Sequence, residues 1–448
     1  MTTGAGAGAA ERRAWYLYDW ANSAFYTIVV TVFAGPFLTS LAEAAASGGV
    51  VRPLGLRVAP AAWYPYLVSA SALLQVLLMP IVGAVADHTG RRRRLLAALA
   101  LTGSAATVAM VALGDDAYLA GGVLFLASTV AFGCAIVVYN AWLPDIAGPA
   151  ERDSVSSKGW AIGYLGGGLA LAATLVVFQL AERDALPFGE GVAVRLSLAG
   201  AGLWWGAFTL VSLRRLRDRQ GPATGAAGRR AGAVVGAGFS QLGSTLAGLL
   251  LARMTLLFIG AYLLYNDGIQ TVISQSSVFA TEELALPTST VIVAVLVVQF
   301  VAMAGAYGAG LLAVRLGAKR VVLATLLVWI GILAWAYVLP AGQAGTFLLL
   351  AVLIGLVLGG SQALTRSLYS QMIPHGREAE YFSFYEITDR GTSWLGSLLF
   401  GLALQFTGSY RLAIVSLLVF FTLGFVLLAL TKVRVAIDEA GNPQPPKV

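Results

Sequence analysis

Polar and ionisable side chains interrupt several of the long apolar stretches of this 448-residue sequence. A charged side chain at the centre of a bilayer costs about 2.5–3.5 kcal/mol on insertion scales, so it normally faces a cavity or a partner. Such side chains therefore indicate a pathway for a polar solute or an ion. The candidates for contact with a solute or a coupling ion are Asn266, Asp267, Gln270, Ser274, Gln362, Arg366, Glu386 and Asp389.

Two of these candidates suggest specific chemistry. Asp267 lies about 14 residues, or about 21 Å, into the stretch that begins at Arg253, which is near or beyond the centre of a membrane. Its carboxylate can bind an amino group or carry a proton. Arg366 can bind a carboxylate through two parallel hydrogen bonds, or pair with Glu386 at a similar depth on the next helix. The alternative is a structural hydrogen-bond network between helices.

The first apolar stretch carries Asp19, Asn22 and Tyr26 on one face, because positions three or four apart align along a helix. Arg12 and Arg13 stand just before it, so Asp19 lies only about one or two helical turns from the membrane surface. We predict that this face lines or closes a gate there, with a structural network as the alternative. The predicted gate residues are Asp19, Asn22, Tyr26, Asn140 and Asp145.

Composition defines the fold class. Hydrophobic residues make up 58% of the chain and charged residues 11%, with a mean hydropathy of +0.79. Soluble domains carry about 25% charged residues, and a membrane β-barrel would show alternating segments of about ten residues. We predict an all-α polytopic membrane protein with twelve transmembrane helices in two pseudo-symmetric six-helix bundles. The helices are predicted at 14–42, 63–86, 93–113, 118–143, 157–181, 192–213, 253–280, 288–313, 319–339, 344–372, 380–407 and 411–432.

A basic segment rich in glycine and alanine divides the chain. The predicted units are a first half at 1–213, a linker at 214–252, a second half at 253–434 and a tail at 435–448. Apolar residues spaced along the linker predict a short amphipathic helix on the membrane surface, and a buried turn is the alternative. The distribution of lysine and arginine predicts that both termini and the linker are cytoplasmic, in a multi-pass protein of the plasma membrane.

Cysteine and histidine usage predicts neither a metal site nor a cofactor. Cys134 is the single cysteine, which excludes an intramolecular disulfide and a metal site built from cysteines. His88 and His375 are too far apart in sequence to suggest a metal motif. The net charge of +7 comes from arginines that border the helices, so no nucleic-acid partner is predicted. The predicted partners are the lipid bilayer, a small polar solute and protons.

A repeated turn relates the two halves. The turn after the second predicted helix reads Gly-x-x-x-Asp-x-x-Gly-Arg-Arg, and a similar turn after the eighth begins at Gly310 but carries Val314 instead of aspartate. Glycine permits a tight turn and close helix approach, and arginine binds lipid phosphates. The residues of this turn are Gly83, Asp87, Gly90, Arg91 and Arg92. A purely topogenic basic loop is one explanation of the turn.

Two further glycine runs, at 163–168 and 355–360, lie inside apolar helices without a preceding strand. Close helix packing therefore explains them better than a phosphate-binding loop.

Together the twelve helices, the two halves, the basic linker and the repeated turn resemble the major facilitator superfamily. The resemblance implies that the turn residues form a conformational latch, in which Asp87 helps to hold the cytoplasmic faces together in one state of an alternating-access cycle. Because Val314 departs from the pattern, it also implies that the first half alone carries this latch.

Four shorter motifs resemble the autophagy-related vacuolar amino-acid effluxers and their bacterial relatives. They stand in predicted helices 1, 4, 5 and 7, and the resemblance implies amino-acid transport for the eukaryotic members. The motifs are Tyr-Asp-Trp-Ala-Asn-Ser-Ala-Phe at 18–25, Asn-Ala-Trp-Leu-Pro-Asp at 140–145, Gly-Tyr-Leu-Gly-Gly at 163–167 and Leu-Tyr-Asn-Asp-Gly at 264–268.

These features predict a secondary transporter that moves a small polar solute by alternating access and acts as a monomer. No segment resembles a nucleotide-binding domain, so a gradient supplies the energy, and acidic side chains within helices favour protons. A membrane-embedded enzyme is one alternative, and it would need a paired catalytic cluster. The acidic cluster outside the predicted helices, formed by Asp145, Glu151 and Asp153, is better explained by charge balance with neighbouring basic residues. A receptor or scaffold is the other, but it would need a sizeable soluble domain.

Overall fold

The computed structural model describes residues 2–218, 247–390 and 394–448, which are mainly helical. The chain begins with one continuous rod, in which a π-helical segment at Phe25–Phe33 joins α1 to α2. The helices are α1 (Thr2–Ala24), α2 (Ala34–Ala45), α3 (Pro60–Thr89), α4 (Arg92–Ala109), α5 (Tyr118–Asn140), α6 (Leu143–Ile146), α7 (Arg152–Glu182), α8 (Glu190–Leu213), α9 (Arg253–Val278), α10 (Thr288–Leu316), α11 (Ala318–Val338), α12 (Ala344–Gln371), α13 (Glu378–Arg390), α14 (Trp394–Thr407), α15 (Tyr410–Ser416), α16 (Leu418–Leu430) and α17 (Val433–Glu439).

Eleven helical segments in the described part of the chain are long and apolar enough to cross a membrane. The predicted twelfth, 380–407, consists of α13 and α14, which flank 391–393, outside the described residues. The predicted all-α polytopic architecture is therefore confirmed. The amphipathic helix predicted in the linker falls mainly on 219–246, which also lie outside the described residues.

Buried apolar side chains form two large clusters. One is built almost entirely from the residues of α1–α8, and the other, apart from Leu249, from residues that follow the linker. Each half of the chain thus packs around its own core, which allows the two halves to move as separate bodies.

The two ends of the bundle differ in charge, because most of the lysines and arginines belong to the loops at one end. We call this the basic end. It carries the α3–α4 turn, the α6–α7 loop and the α12–α13 loop, which are joined by ion pairs such as Arg92–Glu378. The opposite end carries the loops that follow α2, α4, α7 and α11, and it includes the ion pairs Arg195–Asp115 and Arg411–Glu283.

The repeated glycines lie where the halves meet at the basic end. There α3 contacts α13, and α7 contacts α10. A Cβ at Gly83 would lie 2.5 Å from the carbonyl oxygen of Ala379, and a Cβ at Gly310 would lie 2.6 Å from the Cβ of Ser157. The same position of the repeat in each half therefore permits close contact with a helix of the other half.

We expect Gly83→Ala to separate α3 from α13, because the added methyl group meets main-chain atoms that cannot rotate away. Overpacking of this kind costs about 1–3 kcal/mol, so the melting temperature of the purified protein should fall. Gly308→Ala is the matched control, since its Cβ meets nothing within 4 Å. Equal melting temperatures for the two variants would contradict the proposed close contact.

Candidate functional site

A cavity of about 710 Å³ lies between the two halves. Its walls come mainly from α1, α3, α5 and α7 on one side and from α9, α10, α12 and α13 on the other. Many lining residues are apolar or aromatic, so the polar groups stand out against them. The polar side chains that line it include Asp19, Asn22, Gln75, Asn140, Gln270, Gln299, Gln362, Arg366, Glu386 and Asp389.

The structure brings residues from two predicted groups into this one cavity. Of the predicted solute contacts, those that line it are Gln270, Ser274, Gln362, Arg366, Glu386 and Asp389. Of the predicted gate residues, those that line it are Asp19, Asn22, Tyr26 and Asn140. Most of the predicted gate residues and most of the predicted solute contacts therefore line the same cavity and do not form two separate sites.

Glycines of α7 allow α1 to approach the cavity floor. A Cβ at Gly163 would lie 2.9 Å from the Oγ of Ser23, and a Cβ at Gly159 would lie 2.5 Å from an Asp19 carboxylate oxygen. A Cβ at Gly355 of α12 would likewise meet the Cβ of Val301 on α10 at 2.9 Å. The predicted role of both glycine runs in helix packing is confirmed.

Arg366 of α12 is the central charged group of the cavity floor. Its Nε donates to the Ser156 Oγ at 2.9 Å, and its Nη2 donates to the Ser156 carbonyl oxygen at 3.0 Å. Longer contacts of 3.4 Å join Nη2 to Asp19 and Nη1 to the Asn140 Oδ1. All three partners belong to the first half, so this second-half arginine links the halves.

Aromatic rings surround the same guanidinium. Its central carbon lies 4.8 Å from the centroid of the Trp15 ring and 5.3 Å from that of Trp160. A cation over an aromatic face is stabilised by the negative face of the ring. Arg366 is only 3% exposed, so these rings compensate for part of the hydration energy that the guanidinium loses on burial.

The predicted direct pairing of Arg366 with Glu386 is wrong. Asn140 of α5 lies between them: its Nδ2 donates to the Glu386 Oε1 at 2.8 Å, while its Oδ1 accepts from Arg366. The two charged groups do share a similar depth, as expected for neighbouring antiparallel helices. The amide of Asn140, at the end of α5, separates them because it bonds to both side chains.

A second carboxylate of the cavity is held by α9. Asp389 accepts hydrogen bonds from the Asn266 Nδ2 at 2.8 Å and from the Tyr262 hydroxyl at 3.0 Å. Asn266 therefore lies behind the cavity lining and positions Asp389, which corrects its predicted contact with the solute. The Tyr262 ring stacks on that of Tyr385 at a centroid distance of 4.4 Å.

Asp267 also lies outside the cavity lining, although it shares a helical face with Gln270 and Ser274. It is 1% exposed and lies beside the first turn of α14, where the main-chain N–H of Gly396 faces its carboxylate. The N-terminus of a helix stabilises a nearby carboxylate. The expectation that this carboxylate faces the pathway is therefore corrected: it faces α14.

The predicted latch loop forms a buried ion-pair cluster at the basic end. Arg92 contacts Asp87 at 2.6 Å, Asp145 at 2.9 Å and Glu378 at 2.6 Å. The other Asp87 oxygen accepts the main-chain N–H of Glu380 at 2.9 Å, in the first turn of α13. First-half residues thus hold the N-terminus of a second-half helix, where a carboxylate is favoured.

The remaining loop residues have different places. Gly90 has a φ of +63°, which a glycine adopts without steric cost and which turns the chain from α3 into α4. Arg91 is exposed and lies outside the cluster. Asp145, predicted to line the gate, instead joins the cluster around Arg92.

Glu378 lies outside the candidate spans, where its environment affects its ionisation directly. Burial by itself would raise its pKa. The Arg92 guanidinium and the main-chain N–H of Gly376, which donates at 2.9 Å, nevertheless hold the pKa of Glu378 below its ordinary value. The carboxylate is therefore ionised at neutral pH and pairs with Arg92.

Two further links close the basic end. Arg152 donates to the Ser370 carbonyl oxygen at 2.8 Å, and Ser367 donates to Asp153 at 2.6 Å. Sequence reasoning placed Arg152 and Asp153 in a charge-balanced loop and did not single out Ser156. The predicted helix began at 157, five residues after the observed start of α7 at Arg152. Ser156 was therefore assigned to the loop before the helix, and helical spacing could not single it out.

Comparison with known proteins now agrees with this geometry. The family model described as "Vacuole effluxer Atg22 like" matches residues 8–441. This chain belongs to the Atg22-like family. A Bacillus subtilis relative, the uncharacterized MFS-type transporter YxiO, is 29% identical over 96% of both chains. Autophagy-related protein 22 of Pyricularia oryzae is 27% identical over 90% of this chain and 73% of its own length.

Solved structures show the same fold. The human organic anion transporter MFSD10 aligns with a TM-score of 0.68 at 13% identity, covering 94% of this chain and 99% of its own. FucP in the outward conformation aligns with a TM-score of 0.68 at 12% identity, covering 95% and 98%. This Atg22-like protein therefore has the major facilitator fold and is a transporter rather than an enzyme, as predicted.

We expect Glu378→Gln to loosen the basic end, because it removes one charge from a buried cluster in which Arg92 needs its partners. The native Cys134 is a reporter, since it is buried on α5 in a cluster that includes Ile387 of α13. Alkylation of Cys134 by a membrane-permeant maleimide should be several-fold faster in Glu378→Gln than in the wild type. Glu151→Gln, which affects an exposed pair within the first half, is the control and should leave the rate unchanged. Identical rates in all three proteins would refute the latch.

Proposed function

We propose that this Atg22-like protein moves a small polar solute that carries a carboxylate, such as an amino acid, by alternating access. The observation that carries the proposal is Arg366 at the floor of a cavity between two separately packed halves. The halves, 1–213 and 253–434, would rock about this cavity, and the linker would tether them. Because both halves that line the cavity belong to the same polypeptide, we also propose that the protein functions as a monomer.

We further propose that the basic end faces the cytoplasm and that the protein resides in the plasma membrane. The concentration of lysine and arginine at this end supports that orientation. With the basic end closed by the Arg92 cluster and by Arg152, the structure would be the outward-facing state. The matching family model is described as a vacuole effluxer, so location of the protein in an internal membrane would overturn this part of the proposal.

The chemistry of the cavity supports an amino acid. The Nη1 and Nη2 contacts of Arg366 are long, at 3.4 Å, so a solute carboxylate can replace them with shorter bonds. Glu386 and Asp389 line the same cavity and offer oxygen atoms to an amino group. Ionisable groups in the lining also support coupling to protons.

Counterflow in proteoliposomes tests this proposal. Vesicles loaded with an unlabelled mixture of the twenty proteinogenic amino acids should take up the same mixture in labelled form faster than empty vesicles do. Arg366→Ala should reduce uptake by more than tenfold, because a buried guanidinium binding a carboxylate contributes a strong charge-assisted hydrogen bond. Arg320→Ala, an exposed arginine at the start of α11, is the control.

Two results would overturn the proposal. Absence of uptake above empty vesicles would reject an amino-acid substrate, and undiminished uptake by Arg366→Ala would reject the binding site.

A further inference from the structure

We propose that Asp19 is the carboxylate that takes up the coupling proton, and that it does so when a solute carboxylate replaces it at Arg366. The inference rests on the proposed transport function and deepens it. Asp19 lies on α1 in the first half and Arg366 on α12 in the second, so their contact is made and broken as the halves move.

The two sides of the Arg366 guanidinium differ in how firmly they are held. Ser156 accepts from Nε at 2.9 Å and from Nη2 at 3.0 Å, and it anchors the side chain from α7. Asp19 is only at 3.4 Å, the outer limit of a hydrogen bond. A solute can therefore displace Asp19 while Ser156 keeps the arginine in place.

Asp19 reaches the cavity but has few other compensating charges. Its side chain is 11% exposed and lines the cavity wall. The titratable and charged groups that face it are Arg366 on α12 and Tyr139 on α5, with Tyr18 beside it on α1. Glu386 of α13 lies beyond the Asn140 amide, and α7 presents Gly159 and Gly163.

The charge balance then requires a proton. If a solute carboxylate binds Arg366, an ionised Asp19 would be left in a low-dielectric site next to a second anion, which is strongly unfavourable. A proton taken from the cavity onto the Asp19 carboxylate restores the original balance of one cation and one anion. One proton therefore enters with each carboxylate, and each promotes the binding of the other.

Other acidic residues fit this role less well. Asp389 is held by Tyr262 and Asn266 of its own half, so movement of the halves does not change those partners. Asp267 lies outside the cavity lining, against α14. Asp19 differs because its guanidinium partner belongs to the opposite half.

Loss of the Asp19–Arg366 contact also weakens the closure of the basic end. The contact joins α1 to α12 in the same region where Ser156 of α7 donates to the Ala363 carbonyl oxygen at 2.7 Å. Protonation and solute binding thus remove one link between the halves, and the state with the basic end open gains population.

Transport separates this inference from the proposed function. With the labelled amino-acid mixture, wild-type vesicles should accumulate label more than tenfold when the outside is two pH units more acidic. Asp19→Asn should retain counterflow above empty vesicles but lose accumulation, because exchange needs no net proton movement. Asp19→Glu should restore part of the accumulation, and Asp267→Asn should accumulate like the wild type. Accumulation by Asp19→Asn, or its loss in Asp267→Asn, would overturn the inference.

A second measurement needs no solute. Spin labels at Arg94 of α4 and Arg434 of α17, both exposed at the basic end, report the separation of the halves by double electron–electron resonance in a Cys134→Ser background. In the wild type the short-distance population should fall by at least a factor of two between pH 8 and pH 5.5.

In Asp19→Asn the short-distance population should already be low at pH 8 and should change little with pH. Asp87→Asn should lower the same population through the separate Arg92 cluster but keep the pH response. A full pH response in Asp19→Asn, or its loss in Asp87→Asn alone, would show that protonation acts at the latch and not at Asp19. If no amino acid is transported, this experiment still tests whether protonation of Asp19 opens the basic end.

Discussion

A buried guanidinium cannot be left without partners, and this constraint organises the contact between the two halves. Arg366 comes from the second half, yet Ser156, Asn140 and Asp19 of the first half satisfy it. Arg92 comes from the first half and pairs with Glu378 of the second. Removing one partner of such a pair costs about 3–5 kcal/mol because a charge is left uncompensated. The closed basic end is therefore stabilised by two buried arginines, each of which has partners in the opposite half.

Glycine makes these contacts geometrically possible. The repeated turn places Gly83 against α13 and Gly310 against α7, while Gly159 leaves room for the Asp19–Arg366 pair. Each of these glycines removes the Cβ that would otherwise keep main chains apart. Packing and electrostatics are thus coupled. Close contact between helices of the two halves brings the buried charged groups within bonding distance, and the bonds between these groups stabilise the contact. A transporter needs such a closure to be reversible, so that the two halves can rock apart.

Much of the fold and part of the site followed from sequence. Apolar run lengths located the spans. The spacing of Asp19, Asn22 and Tyr26 predicted a shared face, and all three line the cavity, Tyr26 from the π-helical segment that follows α1. Gln270 and Ser274 also line the cavity as expected, but Asp267 on the same helix turns toward α14. Periodicity identifies a shared face about 100° wide, and it cannot say which neighbouring helix covers each edge of that face. Ser156 escaped notice because a single buried serine carries no pattern.

The sequence by itself determined the membrane-spanning helical architecture, the division by a basic linker and the set of polar groups that must face an interior. These follow from local physics, since the bilayer requires apolar helices of a set length and penalises unpaired charge. Only the tertiary structure decided that Arg366 meets Asp19 across the halves, with Asn140 between it and Glu386. Partner choice depends on which helices become neighbours and at what distance, and helix packing between residues hundreds of positions apart settles both.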